Sequence, residues 1–482
     1  MRLYLAAAAA CLLLATQAAA TTNFTEEVEK VLARPALADA DIGIDVRVLE
    51  TGSEIYKHQQ NQPLTPASNQ KLLVSTVALS LLGPDFTYDT TVFGSSAIGE
   101  DGVLDGDLWI VGSGDPSLTS ARLSELAKDL VAETGLKKVT GGVYGDGTVF
   151  DDKLIGEGWS EEDLSLSYSP EIAGLNCDLN IISISLAPGD KEGDEPAIEV
   201  NGLDTEEEKY VEIESTVETI KEGGSAGIDF ERRKDTNTIE LSGSVPVGSD
   251  PVSVSVTIHD PIAYTSYRLA LALADAGVEI SAEPTEPGKL PANAHQLASS
   301  TSEPLSELLA LFLKPSDNLY GEALLKTVGR HASSNKPGSA TSGADAVKEF
   351  LDEEGIDASG VKTIDGSGLS PQNTLTARFI GDLLVRNKVE FNAADWETFF
   401  NALPVGGVDG TIADRFTDSP ARGKVHAKTG TLSGVSSLSG YLEAGDGTEY
   451  VFSILMNGFQ DSGEARQGQD DIVTALYDHK AE

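Results

Sequence analysis

The chain has 482 residues, too many for one ordinary hydrophobic core and enough for two or three domains. Its 77 acidic and 34 basic residues give a formal net charge of −43, and the excess is spread along the whole sequence. A surface this acidic repels nucleic acid and anionic lipid, so neither is expected as a main partner. Salt adaptation would explain the charge because salt screens self-repulsion, but simple solubility explains it equally well.

The first twenty residues have the pattern of a cleaved export signal. Arg2 supplies a positive start, residues 3–15 form an apolar run, and residues 18–20 are small residues suited to cleavage. An uncleaved anchor is the alternative, but the run is short, weakly apolar and not followed by a basic stop. Cys11 lies inside the run, which disfavours a lipid anchor. We therefore expect residues 1–20 to be removed and the mature protein to be exported without an integral membrane span.

The mature chain keeps one cysteine, Cys177, which cannot form an internal disulfide. No cysteine-peptidase signature surrounds it, so a buried structural side chain is expected. The six histidines have no metal-ligand spacing and no arrangement typical of a Ser-His-Asp triad. The sequence therefore predicts no metal, no cofactor, and a catalytic base other than histidine.

The predicted elements begin with a short acidic helix near residues 26–33 and a β-hairpin. Isoleucine and valine alternate with other residues over 42–48, which predicts a half-buried strand, and a turn at 51–53 returns the chain through 54–56. A helix follows from Pro66 and stops at the Gly-Pro pair after residue 82. It is apolar on most faces, which predicts burial.

The texture changes between about residues 90 and 283, where strand-like pieces alternate with Gly/Asp turns and acidic loops. This predicts a β-rich inserted region over 91–283, divided into two small domains of which the outer one covers about 183–245. Helices are then predicted over 264–276, 305–313 and 318–329. The strand-like pieces are LDGDLWIVGSG, GGVYGDGTVF, NIISISLAPG, AIEVNG, TIELSGSVPV and VSVSVTI.

The chain ends with two strand-like pieces, VHAKTGT and SSLSGYLEA, and a Gly-Asp-Gly turn into EYVFSILMN. This pattern predicts a hairpin, and a C-terminal helix is predicted over 470–477.

The chemistry is predicted from Ser68 and Lys71 at the start of the buried helix. Side chains three residues apart lie on one face of a helix, so the lysine amine can reach the serine hydroxyl. An ammonium becomes a base at neutral pH only when burial or a second cation lowers its pKa. Lys428, in the sequence AKTGT, is the candidate second cation. Ser316 and Asn318 lie between them in sequence and can relay a proton and hold the lysine.

Each motif alone has an ordinary explanation. Lys71 could be a helix-surface lysine, Ser316 a helix cap and Lys428 a strand-edge charge. Residues 333–336 contain both SxxK and SxN by chance, and we assign them no function. The order SxxK, SxN, KTG is much more specific, because each motif lies in its expected helix, loop or strand.

These motifs resemble the S13 peptidase family, the D-Ala-D-Ala carboxypeptidases and endopeptidases among the low-molecular-mass class C penicillin-binding proteins. The likeness runs through nearly the whole mature chain. It implies an α+β fold in which residues 21–90 and 284–482 form a penicillin-binding domain, with an antiparallel sheet and flanking helices, and two β-rich domains are inserted. It is carried by PASNQKLL, LDGDLWIVGSGDPSLT, EPLSELLALFLKPSDNLYGEALLK, IDGSGLSPQN and LPVGGVDGTIADRF…AKTGTLSGVSSLSGYL.

The resemblance also implies the roles of single residues. Ser68 would be the acyl-ester nucleophile, Lys71 its general base, and Lys428 an electrostatic aid. Ser316 and Asn318 would position Lys71 and relay protons. Thr429, Gly430 and Thr431 would bind substrate, with the backbone N–H groups of Ser68 and Thr431 forming the oxyanion hole. The segment 365–368 is given a shaping role, with a plain turn as the alternative.

The implied substrate is the peptidoglycan stem peptide, and β-lactam antibiotics would act as inhibitors. Two alternatives stay open. A serine β-lactamase shares the motifs, but its deacylating loop E-x-x-L-N is matched only by residues 171–176, which have an extra residue and precede Ser316. A catalytically weak cell-wall or β-lactam sensor is disfavoured because all motif residues are intact.

Overall fold

The computed structural model describes residues 24–201, 203–204, 209–282, 288–334 and 336–479. The predicted export signal lies outside these residues. The chain divides into two compact units. The first unit contains the chain up to Phe86, Pro304–Asp317 and the chain from Ala340 onward, and the second contains Thr87–Glu303 and Asn318–Ser339.

The first unit is built on one antiparallel sheet of five strands in the order β18-β19-β20-β1-β2. The early predicted hairpin therefore lies beside the late one, and Ile44 pairs with Ile454 across the junction. Both predicted hairpins, the early one from alternating residues and the late one from its Gly-Asp-Gly turn, are confirmed. The strands are β1 (Asp41–Val48), β2 (Glu54–His58), β18 (Val425–Leu432), β19 (Val435–Glu443) and β20 (Glu449–Asn457).

Helices flank this sheet. One apolar cluster includes Val28, Ile44, Phe452 and Ile472, so it joins α1, the strands and α10 into one core. The helices of the first unit are α1 (residues 24–32), α2 (Gln70–Leu82), α5 (Leu305–Leu313), α7 (Ala340–Glu353), α8 (Ala377–Glu390), α9 (Ala393–Ala402) and α10 (Ser462–Asp478).

Helix α2 has the burial that its composition predicts. Leu72, Leu73, Val77 and the polar side chain of Lys71 are all buried. A 3₁₀ turn, Ala67–Asn69, precedes the helix, and the helix ends at Gly83, whose φ of 81° suits glycine. The predicted central helix is therefore confirmed, with its first turn in 3₁₀ form.

Among its described residues, the second unit contains four small sheets. Their strand orders are β17-β3-β5-β7, β16-β6-β4, β10-β9-β8-β15, and β11-β14-β12 with β13 also paired to β14. The strands are β3 (Asp89–Gly94), β4 (Val103–Leu104), β5 (Leu108–Gly112), β6 (Lys138–Val139), β7 (Val143–Asp146), β8 (Ile181–Ala187), β9 (Ala197–Val200), β10 (Leu203–Asp204), β11 (Glu212–Ser215), β12 (Glu218–Ile220), β13 (Gly227–Arg232), β14 (Thr238–Pro246), β15 (Val252–Thr257), β16 (Glu279–Ile280) and β17 (His295–Thr301).

The helices described in the second unit are α3 (Ser120–Thr134), α4 (Pro261–Asp275) and α6 (Asn318–Ala332). Helix α3 was not predicted from the β-rich texture. Its buried residues nevertheless follow helical spacing, at Leu123, Leu126, Ala127 and Leu130. The Thr119 hydroxyl caps its start by accepting from the N–H of Arg122, and Gly135 ends it in the left-handed region.

The segment Asn318–Ser339 groups with the second unit, whereas the sequence analysis counted it with the penicillin-binding domain. Side chains of α6 explain this grouping. The Thr327 hydroxyl lies 3.0 Å from that of Tyr88, and Lys326 Nζ donates to Asp151 Oδ1 at 2.7 Å. The predicted division of the inserted region into two domains stays a prediction.

Cys177 is fully buried in the core of the second unit, as predicted. Its burial raises the pKa of the thiol well above the ordinary value, which keeps the sulfur unreactive. In the part of the chain that the structure describes, no helix combines the length and apolar character needed to cross a bilayer.

Candidate active site

Ser68 and Lys71 meet at the start of α2. Ser68 lies in the 3₁₀ turn, and Lys71 is the second residue of the helix. Lys71 is fully buried, and its Nζ lies 2.9 Å from Ser68 Oγ. This distance is a hydrogen bond, and it is the geometry that a proton transfer between the two groups requires.

The turn that carries Ser68 is held against the sheet by two side-chain hydrogen bonds. Asn69 Nδ2 donates to Ser439 Oγ at 2.7 Å, and Ser437 Oγ donates to the Pro66 carbonyl at 2.7 Å. Ala67 has a φ of 47°, a left-handed conformation that costs a non-glycine residue roughly 1–3 kcal/mol. The surrounding contacts hold this strained residue in place, and with it the direction of the next side chain.

Two glycines allow backbone segments to approach Ser68 closely. A Cβ added to Gly430 would lie 2.9 Å from the Ser68 nitrogen and 2.7 Å from the Pro66 carbonyl oxygen. A Cβ added to Gly368 would lie only 1.9 Å from the Ala67 carbonyl oxygen. Strand β18 on one side and the loop at residue 368 on the other therefore both depend on glycine.

Lys428 on β18 is the second lysine of the site, and it is also fully buried. Its Nζ donates to the Thr429 carbonyl at 3.1 Å. Burial, and then the charge of Lys71, hold the pKa of Lys428 well below its ordinary value of 10.5. The two amines therefore repel each other when both are charged, and the effect of Lys428 on the pKa of Lys71 stays a prediction.

The loop at residues 365–373 supplies a further contact to Lys71 of α2. The Ser367 carbonyl accepts from Lys71 Nζ at 2.6 Å. Buried Asp365 holds this loop, since its carboxylate accepts from the backbone N–H groups of Gly368 and Ser370 at 2.9 and 2.6 Å and from Asn373 Nδ2 at 2.7 Å. The segment given only a shaping role in the sequence analysis thus contacts Lys71 directly.

Strand β18, which contains the Lys-Thr-Gly residues, is the first strand of its sheet and pairs with β19 on one side. The N–H of Ala427 donates outward to the Pro404 carbonyl at 3.0 Å. Backbone groups alternate in direction along a strand, so the N–H groups of Thr429 and Thr431 also point away from β19. Gly430 instead faces its partner Ser437 on β19.

Ser316 lies in the turn after α5, and Asn318 begins α6. Ser316 has a φ of 66° in the turn between these helices, a left-handed conformation that is unusual for serine. Asn318 is the first residue of α6, and its Nδ2 donates to the Tyr168 carbonyl at 2.7 Å. Ser316 belongs to the first unit and Asn318 to the second, and their parts in catalysis stay a prediction.

Sequence reasoning missed Thr411. This residue lies in the short 3₁₀ turn Gly410–Ile412, and its Oγ1 is 2.7 Å from Thr429 Oγ1. No spacing rule relates Thr411 to the Lys-Thr-Gly strand. The only signal was its place in the family-like segment LPVGGVDGTIADRF.

Glu171, the residue nearest to a β-lactamase-type deacylating glutamate in sequence, is engaged inside the second unit. Its carboxylate accepts from His259 Nδ1 at 2.8 Å and from the backbone N–H of Asp260 at 3.0 Å. Arg232 lies 3.6 Å away. Among the described residues, no group of three or more His, Cys, Asp and Glu side chains is arranged to hold a metal ion.

The chain is similar to known proteins over nearly its whole length. The model of the D-Ala-D-Ala carboxypeptidase 3 (S13) family matches residues 24–478. The chain is 35% identical to a D-alanyl-D-alanine carboxypeptidase of an Actinomadura species, over 94% of this chain and 84% of the relative. It is 28% identical to the carboxypeptidase DacB of Haemophilus influenzae, over 87% of this chain and 86% of the relative.

Among solved structures, penicillin-binding protein 4 of Haemophilus influenzae matches with a TM-score of 0.80 and 25% identity, covering 93% of this chain and 98% of that one. The chain therefore belongs to the D-Ala-D-Ala carboxypeptidase 3 (S13) family and is a hydrolase of the penicillin-binding kind. The α+β penicillin-binding fold expected from the sequence is confirmed.

Proposed function

We propose that the protein is a serine-type D-Ala-D-Ala carboxypeptidase and D-alanyl endopeptidase that trims peptidoglycan stem peptides through an acyl-serine intermediate. The observation that carries this proposal is the 2.9 Å contact between Lys71 Nζ and Ser68 Oγ, with the lysine wholly buried. A serine hydroxyl is a weak nucleophile until a neighbouring base takes its proton. Lys71 is the basic side chain that lies within reach of it.

The first half of the reaction transfers the acyl group. Lys71 accepts the proton of Ser68 as Ser68 Oγ attacks the carbonyl carbon of the penultimate D-Ala. The C–N bond to the terminal residue then breaks, and the leaving amine takes up the proton from Lys71. The departing group is free D-Ala in the carboxypeptidase reaction and the amino group of a neighbouring stem in the endopeptidase reaction. Water then hydrolyses the ester on Ser68.

The surrounding groups act on charge that develops during this transfer. The negative oxygen of the tetrahedral intermediate would accept from the backbone N–H groups of Ser68 and Thr431. Lys428 would discourage two protons on the lysine pair, because like charges at close range titrate as a coupled unit. Its charge and the Thr429 and Thr431 hydroxyls would also attract the terminal carboxylate of the stem. Ser316 and Asn318 would relay the proton and position Lys71 and the substrate amide.

β-Lactam antibiotics are the expected inhibitors. Their strained amide and nearby carboxylate resemble the D-Ala-D-Ala end, so ring opening by Ser68 would leave an ester that water removes slowly. The substrate lies outside the cytoplasm, which agrees with the export signal predicted for residues 1–20. No metal and no cofactor is required by this chemistry.

Digestion of purified muropeptides, read by mass spectrometry, tests the proposal. We expect the wild type to remove terminal D-Ala and to open cross-links, and we expect Ser68→Ala to leave the muropeptides undigested. Ser333→Ala is the matched control, because Ser333 begins the chance SxxK sequence. This variant should digest muropeptides as the wild type does. A Ser68→Ala variant with wild-type products would refute the mechanism. A wild type that binds penicillin but releases no D-Ala would favour the sensor.

A further inference from the structure

Thr411 makes a hydrogen bond that the mechanism above does not use. Its Oγ1 lies 2.7 Å from Oγ1 of Thr429, the middle of the Lys-Thr-Gly strand. Both side chains are half-buried. The contact joins the short turn Gly410–Ile412 to a hydroxyl that the proposed function assigns to substrate binding.

The turn that carries Thr411 is held from two sides. Its start is fixed by Asp409, whose Oδ2 accepts from Lys314 Nζ at 2.6 Å and whose Oδ1 accepts from the Val405 N–H at 2.8 Å. The N–H of Thr411 itself donates to the Lys314 carbonyl at 3.1 Å. Gly410 is needed between them, since it has a φ of 61° and an added Cβ would lie 2.8 Å from the Lys314 carbonyl oxygen.

The residues that lead into this turn, 404–406, pair with the outer edge of β18. Gly406 donates to the Val425 carbonyl at 2.9 Å, and Ala427 donates to the Pro404 carbonyl at 3.0 Å. The segment 404–411 is therefore fixed to the beginning of β18 and to the residue two positions before Ser316. A side chain on such a support has a defined position and can orient its neighbour.

The hydrogen bond between Thr411 and Thr429 determines which role, donor or acceptor, is left to the Thr429 hydroxyl. A hydroxyl has one hydrogen to donate and two lone pairs that accept. When Thr411 donates to Thr429, the Thr429 oxygen is used as an acceptor and its own hydrogen is directed elsewhere. A donor is what a carboxylate needs, and hydrogen bonds in a chain polarise and strengthen one another.

We propose that Thr411 is a positioning residue for substrate recognition, which holds the Thr429 hydroxyl as a donor to the terminal carboxylate of the stem peptide. The inference rests on the proposed function, in which Thr429 contacts that carboxylate. The inference adds Thr411, from a separate loop, to the residues that act on the substrate. That loop is hydrogen-bonded to Lys314, two residues before Ser316.

The test compares two substrates and two substitutions. The substrates are a synthetic stem peptide ending in D-Ala-D-Ala and the same peptide with its terminal carboxylate converted to an amide. Thr411→Val keeps the shape of the side chain and removes its hydroxyl, whereas Thr411→Ser keeps the hydroxyl. We expect Thr411→Val to lower kcat/KM roughly 3- to 10-fold for the carboxylate peptide, mainly through KM, as the loss of one hydrogen bond predicts. The amide peptide should be affected less than twofold, and Thr411→Ser should behave as the wild type.

A double-variant cycle completes the test. In the Thr429→Val background, Thr411→Val should have no further effect on the carboxylate peptide, because the group that it orients is absent. Equal losses on both peptides, an undiminished effect in the Thr429→Val background, or a Thr411→Ser variant as weak as Thr411→Val would overturn the inference. If Thr429→Val itself fails to reduce the preference for the carboxylate, the proposed role of Thr429 fails first. Melting temperatures of all variants identify any loss that comes from misfolding.

Discussion

In the first unit, the buried amines of Lys71 and Lys428 repel each other when both are charged, whereas in the second unit the buried carboxylate of Glu171 is paired with His259 and lies near Arg232. Lys71 donates to the Ser367 carbonyl and Lys428 donates to the Thr429 carbonyl. Burial and the charge of Lys71 lower the pKa of Lys428. Across the described residues, no carboxylate forms an ion pair with Lys428. Glu171, in contrast, accepts from His259 and lies 3.6 Å from Arg232.

The difference separates charge that holds a fold together from charge that serves chemistry. A buried ion that has partners is costly to disturb, because removal of one partner leaves another charge uncompensated. Two buried like charges destabilise the folded state, and such strain persists where function requires it. Substitutions in the two regions should therefore have opposite effects on stability.

The largest effect is expected for Lys428→Met, which has similar volume and no charge. Activity on a D-Ala-D-Ala peptide should fall roughly 100- to 1000-fold, the loss typical when one electrostatic group is removed from an active site. The melting temperature should stay equal or rise, because a buried repulsion is removed. Kinetics with calorimetry measure both quantities. Lys424→Met, just before β18, is the control: this half-buried lysine lies outside the site and pairs with Glu443. A Lys428→Met variant that melts lower than the wild type would contradict the comparison.

In the second unit, Glu171→Leu should lower the free energy of unfolding by about 3 kcal/mol, because Arg232 and His259 lose their shared partner inside the protein. Denaturant unfolding followed by circular dichroism measures this change. The matched control is Glu161→Gln, which breaks the exposed pair with Lys234 and should leave the free energy of unfolding almost unchanged, because solvent screens exposed pairs. Equal effects of the two substitutions would remove the distinction between buried and exposed pairs.

A smaller effect is expected for Gly368→Ala, which tests the tight packing behind Ser68. The new Cβ would approach the Ala67 carbonyl to 1.9 Å at a φ of 83°, so we expect a loss of about 2 kcal/mol together with reduced acylation. Gly355→Ala has a φ of 66° and open space around it, so strain alone should cost about 1 kcal/mol there without loss of activity. Melting curves and acylation rates of both variants give the comparison.

The smallest effect concerns pH and His259. The hydrogen bond with Glu171 raises the pKa of His259 above its ordinary 6.5. A raised pKa in the folded state means that the histidine contributes stability below pH 6.5 and loses it as the pH rises through the folded-state value. The wild type should therefore exceed His259→Gln in melting temperature by more at about pH 5.5 than at about pH 8.5. A difference that grows with pH would contradict the pairing.

Much of the first unit could be predicted from local sequence patterns. The first strand alternates at period two, the late hairpin is marked by its Gly-Asp-Gly turn, and α2 shows its apolar character and its terminating glycine. The pairing of Ser68 with Lys71 follows from helical spacing alone. Helix α3 shows the limit of this reasoning, since glycine- and aspartate-rich turns around it suggested strands and outweighed the helical spacing of its leucines.

The remaining contacts of the site depend on packing between distant segments. The Ser367 carbonyl reaches Lys71 across 296 residues of sequence, and a backbone carbonyl leaves no side-chain pattern to detect. Thr411 meets Thr429 only because Lys314 and Asp409 fix its turn. Neither contact follows from the spacing of residues along one helix or strand.

The central claim is that the buried amine of Lys71 removes the proton of Ser68 so that this oxygen becomes acylated. The most direct measurement is to treat the protein with benzylpenicillin, digest it, and locate the adduct by mass spectrometry while timing its formation. The account predicts one adduct, on the peptide that contains Ser68, formed far more slowly in Lys71→Met. An adduct at another residue, or an unchanged rate in Lys71→Met, would contradict it.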